Sequence, residues 1–384
     1  MLHSRWSILA LLFLARLTIA LQFQSVGSLS GSLIGAFAID FAQLGLLIGL
    51  YMLPGVFVAI PGGILGQRFG AKRVVVCGLA LMAAGGAFAA LADGFVVLLA
   101  GRLAGGIGAV LLNILLTKML ADWFAGREIA TATSLLIASW PLGIALALAG
   151  CGSLEAAAGW RFVMLLIAIA TAAAALAIAL GYRDPPALPS GGASGSPRLT
   201  RREWVLVACA SVVWGAFNVA FVAIVTFAPD LLALRGMETR DAAWIVSLVG
   251  WLLIPAAPLC GYLADRFAAP VALMATGFAV VAVALCVLAL TDATWLPVVI
   301  VALFIGLPPG LIVAMPARVL RPAVRAIGMG GFYTGYYAMM ALLPGVAGSL
   351  RDLAGAAAPM LFAAALMALA GLGLGAFHMV ARRA

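Results

Sequence analysis

The chain contains apolar segments long enough to cross a lipid bilayer, and they recur along almost its whole length. A membrane-spanning helix needs about 20 mostly apolar residues. Segments of that kind lie at residues 6–27, 43–65, 74–92, 95–117, 129–150, 160–181, 203–226, 242–263, 270–290, 295–316, 327–349 and 355–379. Only 9% of the 384 residues are charged, against about 25% in soluble domains. The sequence therefore predicts an all-α integral membrane protein with twelve transmembrane helices.

Two short charged breaks between these segments have related sequences. The first is Gly63-Ile64-Leu65-Gly66-Gln67-Arg68-Phe69-Gly70-Ala71-Lys72-Arg73, and the second is Gly261-Tyr262-Leu263-Ala264-Asp265-Arg266-Phe267. They lie about half a chain apart, which is typical of a duplicated membrane bundle. We therefore predict two pseudo-symmetric six-helix bundles, at residues 1–181 and 202–384. A linker rich in Pro, Gly and Ser joins them at residues 182–201.

The first break resembles the signature loop of the major facilitator superfamily of secondary transporters, Gly-x-Leu-x-Asp-Arg-x-Gly-x-(Lys/Arg)-(Lys/Arg). Gln67 stands where the pattern has Asp, and the second copy lacks the basic tail. The resemblance implies the fold of that superfamily, with two bundles around a mid-membrane substrate site, and transport by alternating access. It also implies a gating role for six residues: Gly63, Gln67, Arg68, Gly70, Asp265 and Arg266.

Other segments resemble the same superfamily. Leu99-Ala100-Gly101-Arg102-Leu103-Ala104-Gly105-Gly106-Ile107-Gly108 is similar to its fourth-helix motif, and Gly159-Trp160-Arg161-Phe162 to the start of its sixth helix. Ser139-Trp140-Pro141-Leu142-Gly143 is an altered form of its fifth-helix motif. Arg16-Leu17-Thr18-Ile19-Ala20 and Asp122-Trp123-Phe124-Ala125-Gly126-Arg127-Glu128 resemble the cyanate and 2-nitroimidazole porter group.

The distribution of basic residues predicts the orientation. If the N-terminus is cytoplasmic, most of the 22 Lys and Arg residues lie in cytoplasmic loops, as the positive-inside rule requires. Arg161, Arg235, Arg240 and Arg351 are then external, and Arg16 and Arg102 lie inside helices. We therefore predict a multi-pass protein of a bacterial inner membrane with both termini in the cytoplasm. The first segment could also be a signal peptide, but Arg16 interrupts it, and its removal would leave an odd number of helices.

Two arginines, and no carboxylate, are predicted within the membrane. Arg16 falls near the middle of the first helix and Arg102 in the outer half of the fourth, whereas all thirteen Asp and Glu residues fall at helix ends or in loops. A charge at the bilayer centre is costly and indicates a functional site by default. Snorkelling or pairing with carbonyls is the structural alternative for Arg16. Helix packing or conformational coupling is the alternative for Arg102.

Amide and aromatic residues recur at helical spacing in segments that line the cavity in the superfamily. Helix seven carries Ser211, Trp214 and Asn218 on one face, and helix eleven carries Tyr333, Tyr336 and Tyr337. The full predicted substrate-binding set is Arg16, Gln24, Arg102, Asn113, Trp140, Trp214, Asn218, Tyr333 and Tyr337. Each could instead serve packing or interfacial anchoring. Together they suit a small planar or compact anion.

These observations favour a transporter of a small anion, such as a small carboxylate or a cyanate-like species. Without a mid-membrane carboxylate, uniport, exchange, or co-transport in which the substrate carries the proton is expected. The alternative is a multidrug or lipophile exporter of the same superfamily, which would be expected to hold a membrane-embedded Asp or Glu. A non-transporting receptor also stays open.

An enzyme is disfavoured, because the two histidines lie near the chain ends and the five cysteines have no metal-ligand spacing. The predicted partners are a small molecule and the lipid bilayer. No cofactor, metal or nucleic acid is expected, and the protein is expected to be a monomer.

Overall fold

The computed structural model describes residues 4–124, 128–184, 198–267, 269–321 and 324–382, and these residues form helices and no strand. The helices are α1 (Arg5–Ser28), α2 (Ser30–Phe37), α3 (Phe41–Met52), α4 (Pro54–Phe69), α5 (Ala71–Ala90), α6 (Phe95–Phe124), α7 (Ile129–Gly181), α8 (Arg201–Leu234), α9 (Thr239–Phe267), α10 (Pro270–Leu290), α11 (Trp295–Phe304), α12 (Pro309–Val319), α13 (Arg325–Ala354) and α14 (Ala358–Arg382). The all-helical prediction is confirmed for this part of the chain.

Within the described ranges, nine helical stretches are long and apolar enough to cross a membrane. They are Arg5–Ser28, Phe41–Ala59, Ala71–Ala90, Phe95–Phe124, Thr131–Gly181, Arg201–Leu234, Pro270–Leu290, Trp295–Pro316 and Ala358–Arg382. A tenth is reached if Thr239–Ala256 and Pro258–Ala264, which are bent by 48°, form one span. The predicted segment at 327–349 lies in α13, which is not among them. The total of twelve therefore stays a prediction.

One of these stretches contains two predicted helices. α7 has 53 residues and includes both segment 129–150 and segment 160–181. Its backbone leaves helical geometry at Gly159, where φ is 82° and ψ is 163°. Glycine alone adopts such a positive φ without strain, so the break falls where the sequence predicts a boundary. Since about 20 residues cross a bilayer, the length of α7 suits two crossings joined at Gly159.

Proline divides two of the predicted segments. The segment at 43–65 is split between α3 and α4, and Pro54 occupies the first turn of α4. The segment at 295–316 is split between α11 and α12, and Pro309 occupies the first turn of α12. Proline lacks the N–H that an interior helical residue donates and is tolerated in a first turn. Hydropathy alone predicts each segment as one helix because it does not register the missing donor.

The chain divides into two compact units. The first comprises Met1–Ile39 and Leu50–Ser194, and the second comprises Asp40–Gly49 and Gly195–Ala384. The segment Asp40–Gly49 thus groups with the second unit, although the chain on either side of it groups with the first. The predicted linker at 182–201 falls largely on residues 185–197, which lie outside the described residues. The assignment of bundles to residues 1–181 and 202–384 stays a prediction.

Glycine permits very close helix packing in the first unit. A Cβ at Gly108 of α6 would collide with the carbonyl oxygen of Gly78 in α5, and one at Gly106 would collide with the carbonyl oxygen of Tyr51. A Cβ at Gly143 of α7 would lie 2.6 Å from the Cβ of Ala20 in α1. Small residues let helix backbones approach one another where the hydrophobic effect gives no driving force. This packing fixes the positions of α1, α6 and α7, which carry the first candidate site.

In the second unit, α8 is the central helix and packs against both α13 and α14. Its N-terminus has a capping box, in which Thr200 and Glu203 bond reciprocally to each other's backbone N–H groups. Arg321 donates to both carboxylate oxygens of Glu203, at 2.7 and 2.9 Å. Gly335 of α13 lets Ser211 of α8 approach, since a Cβ at that glycine would lie 2.7 Å from the Ser211 side chain. These contacts set α8 and α13 side by side.

Candidate functional site

Arg16 lies in the middle of α1 and is held by two other helices. Its Nε donates to Asn113 Oδ1 of α6 at 3.3 Å, and its Nη1 donates to the backbone oxygen of Leu136 in α7 at 2.8 Å. α1 begins at Arg5, and a rise of 1.5 Å per residue puts Arg16 about 16 Å along a 24-residue span. The side chain is partly buried. The structure thus brings together Arg16 and Asn113, two residues of the predicted binding set.

Both described acceptors of Arg16 are neutral oxygens. An amide oxygen and a backbone carbonyl accept hydrogen bonds from the planar guanidinium and orient it. The Leu136 oxygen also accepts a hydrogen bond from Ser139 Oγ at 2.6 Å, one residue before Trp140. Such a site can bind an anion through charge-assisted, paired hydrogen bonds.

Trp140 and Gln24, two further residues of the predicted set, lie in α7 and α1 of the first unit. The Trp140 ring lies 5.5 Å from the Phe23 ring of α1, centroid to centroid and tilted by 38°. Gln24 is buried, with 1% of its surface exposed. The aromatic contact supports the packing alternative for Trp140, since it joins α7 to α1.

Arg102 is turned toward the backbone of α1. Its Nη1 donates to the Gln22 oxygen at 2.6 Å and its Nη2 to the Phe23 oxygen at 3.4 Å, while the guanidinium carbon lies 4.3 Å from the centre of the Tyr51 ring. Only 3% of its surface is exposed. The Gln22 amide extends the network, since it donates to the Met82 oxygen at 2.9 Å and accepts from the Tyr51 hydroxyl at 3.0 Å. Arg102 therefore connects α6 to α1.

The space beside Arg102 is too small for an organic anion. A cavity of about 10 Å³ lies there, lined by Gln22, Ser25, Tyr51, Arg102 and neighbouring glycines. That volume holds about one water molecule. In this arrangement Arg102 joins two helices, which is the packing role given above as the alternative. Its assignment to substrate binding stays a prediction.

The predicted residues of the second unit form an aromatic cluster. The Trp214 ring of α8 stacks on Phe217 at 5.8 Å and lies 6.0 Å from Tyr336 of α13. Tyr336 in turn contacts Tyr333 at 6.4 Å and Tyr337 at 4.9 Å, again between ring centroids. The predicted stripes of α8 and α13 therefore meet at Trp214 and Tyr336.

The polar residues of that stripe differ in their roles. Ser211 Oγ donates to the Phe332 oxygen at 3.1 Å, so it joins α8 to α13. Asn218 Nδ2 donates to the Trp214 oxygen one turn earlier, at 2.8 Å. The Trp214 Nε1 is buried and has no hydrogen-bond acceptor among the described residues. A buried indole N–H normally has a partner, so this donor suits an acceptor on a bound molecule or a water.

The predicted gating residues lie at the ends of α4 and α9. Gln67 and Arg68 are exposed on the last turn of α4, and Gly70 ends that helix with a φ of 87°. A Cβ at Gly63 would meet no atom within 4 Å, whereas a Cβ at Gly66 would collide with Leu115. Arg266 is exposed in the last turn of α9. The side chain of Asp265 lies outside the described residues, and all six gating assignments stay predictions.

The structure also adds two residues that sequence reasoning missed. Tyr51 of α3 contacts Arg102 and Gln22. The Leu136 carbonyl accepts the shorter of the two described hydrogen bonds from Arg16. The sequence contains a signal for Tyr51, because a tyrosine within an apolar span is a candidate for a polar contact. Nothing in the sequence indicates the second, because every residue has a backbone carbonyl and only the fold selects one.

Comparison with known proteins gives a family and several relatives. Residues 12–311 match the family model described as Major Facilitator Superfamily. The 3-(3-hydroxy-phenyl)propionate transporter of Escherichia coli (strain K12) is 34% identical over 160 residues, which cover 40% of this chain and 38% of that protein. The uncharacterised transporter YycB of Bacillus subtilis (strain 168) is 25% identical over 368 residues, which cover 91% of this chain and 88% of that one.

A solved structure shares the fold over nearly the whole chain. It is a bacterial homologue of the human lysosomal transporter Spinster, in an inward-facing and occupied conformation. The TM-score is 0.76 at 17% identity, with 98% of this chain and 97% of that chain covered. At this identity the likeness concerns the fold.

Proposed function

The chain belongs to the Major Facilitator Superfamily, and on that premise we propose that it transports a small anion bound through Arg16. Membership in this family of membrane transporters implies a small-molecule substrate and transport rather than catalysis. The observation that carries the proposal is the position of Arg16, mid-span and oriented by Asn113 and the Leu136 carbonyl. A planar guanidinium held in this way can form two parallel hydrogen bonds to a carboxylate.

Two further observations support an anion. The described carboxylates lie near helix ends, near the α7 break or in loops, as Glu155 near Gly159 and Asp230 near the end of α8 illustrate. This distribution does not favour a multidrug exporter for cations. The E. coli relative is named for a phenylpropionate, which is a carboxylate. We propose a monocarboxylate as the first substrate class to test.

The finer group and the setting are also proposals. The Arg16–Ala20 segment supports the cyanate and 2-nitroimidazole porter group, as does Asp122–Glu128, although its residues 125–127 lie outside the described residues. The excess of Lys and Arg on one side supports cytoplasmic termini in a bacterial inner membrane. The monomeric state and the absence of a cofactor stay expectations.

A ligand screen by thermal stabilisation tests the substrate class. Binding to the native state raises the melting temperature, and the rise grows with the ratio of ligand concentration to Kd. We expect purified protein in detergent to be stabilised by small monocarboxylates and not by their amides or by lipophilic cations. Stabilisation by lipophilic cations alone would support the exporter and contradict the anion proposal.

Gln67 predicts a weak cytoplasmic latch. In the superfamily the Asp at this position lies near the cytoplasmic start of helix eleven, where its charge complements the helix dipole. A neutral Gln can form hydrogen bonds but supplies no charge. Gln67→Asp should therefore shift the population toward the outward-open state by about 1 kcal/mol.

Distances between spin labels at the cytoplasmic helix ends measure this shift. Gln67→Asn, which changes the side chain without adding charge, is the control and should leave the distances unchanged. Equal distance distributions for Gln67→Asp and the parent protein would contradict the prediction.

A further inference from the structure

The segment Asp40–Gly49 is covalently continuous with the first unit but packs within the second. α3 runs from Phe41 to Met52 without a described break, and Leu50 onward belongs to the first unit. The beginning of α3 can leave the second unit only if its contacts there are broken. The contacts that hold its beginning therefore determine how easily it is released.

Polar side chains accept hydrogen bonds from the backbone N–H groups of residues 40–43, where α3 begins. Asp40 and Gln43 form a reciprocal pair, in which Asp40 N donates to Gln43 Oε1 at 3.2 Å and Gln43 N donates to Asp40 Oδ1 at 2.7 Å. Asp352, from the end of α13, accepts from Phe41 N at 3.2 Å and from Ala42 N at 2.8 Å. The first N–H groups of a helix have no partner within it, and here a carboxylate distant in sequence binds two of them.

The adjacent residue of α13 forms a second link. Arg351 Nε donates to Asp230 Oδ2 of α8 at 2.7 Å, and the Arg351 guanidinium carbon lies 4.5 Å from the centre of the Phe41 ring. The side chains of Arg351 and Asp230 are 18% and 27% exposed, so this ion pair is screened less than a surface pair. Consecutive residues of α13 thus hold both the backbone and the side chain of Phe41.

Glycines bring the two helices into backbone contact along this segment. A Cβ at Gly348 would collide with the carbonyl oxygen of Phe41, one at Gly45 with that of Pro344, and one at Gly49 with that of Ala341. Contacts on this face recur at Phe41, Gly45 and Gly49, which is the spacing of one helical face. The segment fits α13 closely only because these positions lack side chains.

We propose that Asp230, Arg351 and Asp352 are gating residues of the transport cycle and form a clasp that holds Asp40–Gly49 against α13. The clasp combines a close but non-covalent fit with charged contacts near water, since Asp352 is exposed. Water can replace such contacts when they open, which makes them reversible. Closing the clasp stabilises the state in which α3 and α13 are packed, and opening it permits the alternative state.

This inference rests on membership in a transporter family and not on the anion site at Arg16. The two proposals can therefore fail separately. Arg16 variants should change binding without changing the clasp, and clasp variants should change the conformational populations in the absence of any ligand.

Spin labels on α3 and α13 test the clasp in the ligand-free, full-length protein. Leu46 and Leu353 are exposed, at 41% and 86%, and suit labelling through Leu46→Cys and Leu353→Cys after replacement of the native cysteines. Asp352→Asn preserves the shape but removes the charge at the helix start. It should lower the ratio of short to long distances about fivefold, and Arg351→Gln should act in the same direction.

Two controls separate gating from simple packing. Asp292→Asn removes a carboxylate from an exposed loop, and Gly371→Ala adds a Cβ at a helical site with no atom within 4 Å. Neither should change the distances, whereas Gly348→Ala should favour the long distance. If Gly348→Ala does not fold, Asp352→Asn still decides the question. An unchanged distance ratio in Asp352→Asn, with or without a lower melting temperature, would overturn the proposal.

Discussion

Arg16→Gln should weaken binding of the transported anion by about 2–4 kcal/mol, the cost of removing one partner of a desolvated charged pair. The guanidinium is oriented by Asn113 and the Leu136 carbonyl, so less conformational freedom is lost when a carboxylate binds. Because the Arg16 side chain is partly buried, the attraction is also less screened than in bulk water. Titration calorimetry of the purified variant with the best ligand from the screen measures this loss.

Arg16→Lys separates charge from geometry. An ammonium keeps the charge but cannot form the two parallel hydrogen bonds of a guanidinium, so this variant should bind the anion more weakly than the parent. Arg102→Gln is the matched control, because Arg102 bonds to α1 carbonyls beside a cavity that holds about one water. It should affect turnover more than affinity. Parent-like anion binding by Arg16→Gln would contradict the assignment.

Gly108→Ala should destabilise the folded protein by about 2–3 kcal/mol, the scale of overpacking a tight interior. A Cβ at Gly108 would collide with the backbone carbonyl of Gly78 and lie 3.0 Å from the Met82 nitrogen. Backbone atoms cannot move aside as a side-chain tip can, so α5 and α6 would have to separate. Unfolding in mixed micelles measures the change in the free energy of unfolding.

Gly371→Ala is the matched control for that change. It also adds one methyl group to a glycine within a helix, but a Cβ there has no neighbour within 4 Å. Because Ala favours the helix over Gly, it should stabilise the protein by roughly 0.5–1 kcal/mol. Equal stability changes for the two variants would show that α5 and α6 are not packed as described.

The sequence predicts the kind of fold because apolar length and charge distribution follow directly from bilayer physics. The all-helical architecture and the boundary near Gly159 follow from segment length and glycine placement. The division of 43–65 and 295–316 was not predicted, because hydropathy does not register how Pro54 and Pro309 place helix starts.

The candidate site could be predicted only in part. Arg16 and Asn113 were each identified as polar residues on apolar helices, and the structure joins them. The Leu136 carbonyl and the Tyr51 contacts depend on how separate helices pack. Side-chain periodicity within one helix does not reveal that packing. The same holds for Asp352, which appears in the sequence as an ordinary helix-end carboxylate and caps a helix 311 residues away.

Counterflow in proteoliposomes most directly tests the claim that the chain transports a small anion bound through Arg16. Vesicles loaded with an excess of unlabelled monocarboxylate are diluted into a trace of the labelled compound, for the parent and for Arg16→Gln. We predict labelled carboxylate uptake by the parent, none for the matching primary amide, and loss of uptake in Arg16→Gln at low substrate concentration. Equal uptake of the amide, or undiminished carboxylate uptake by Arg16→Gln, would contradict the account.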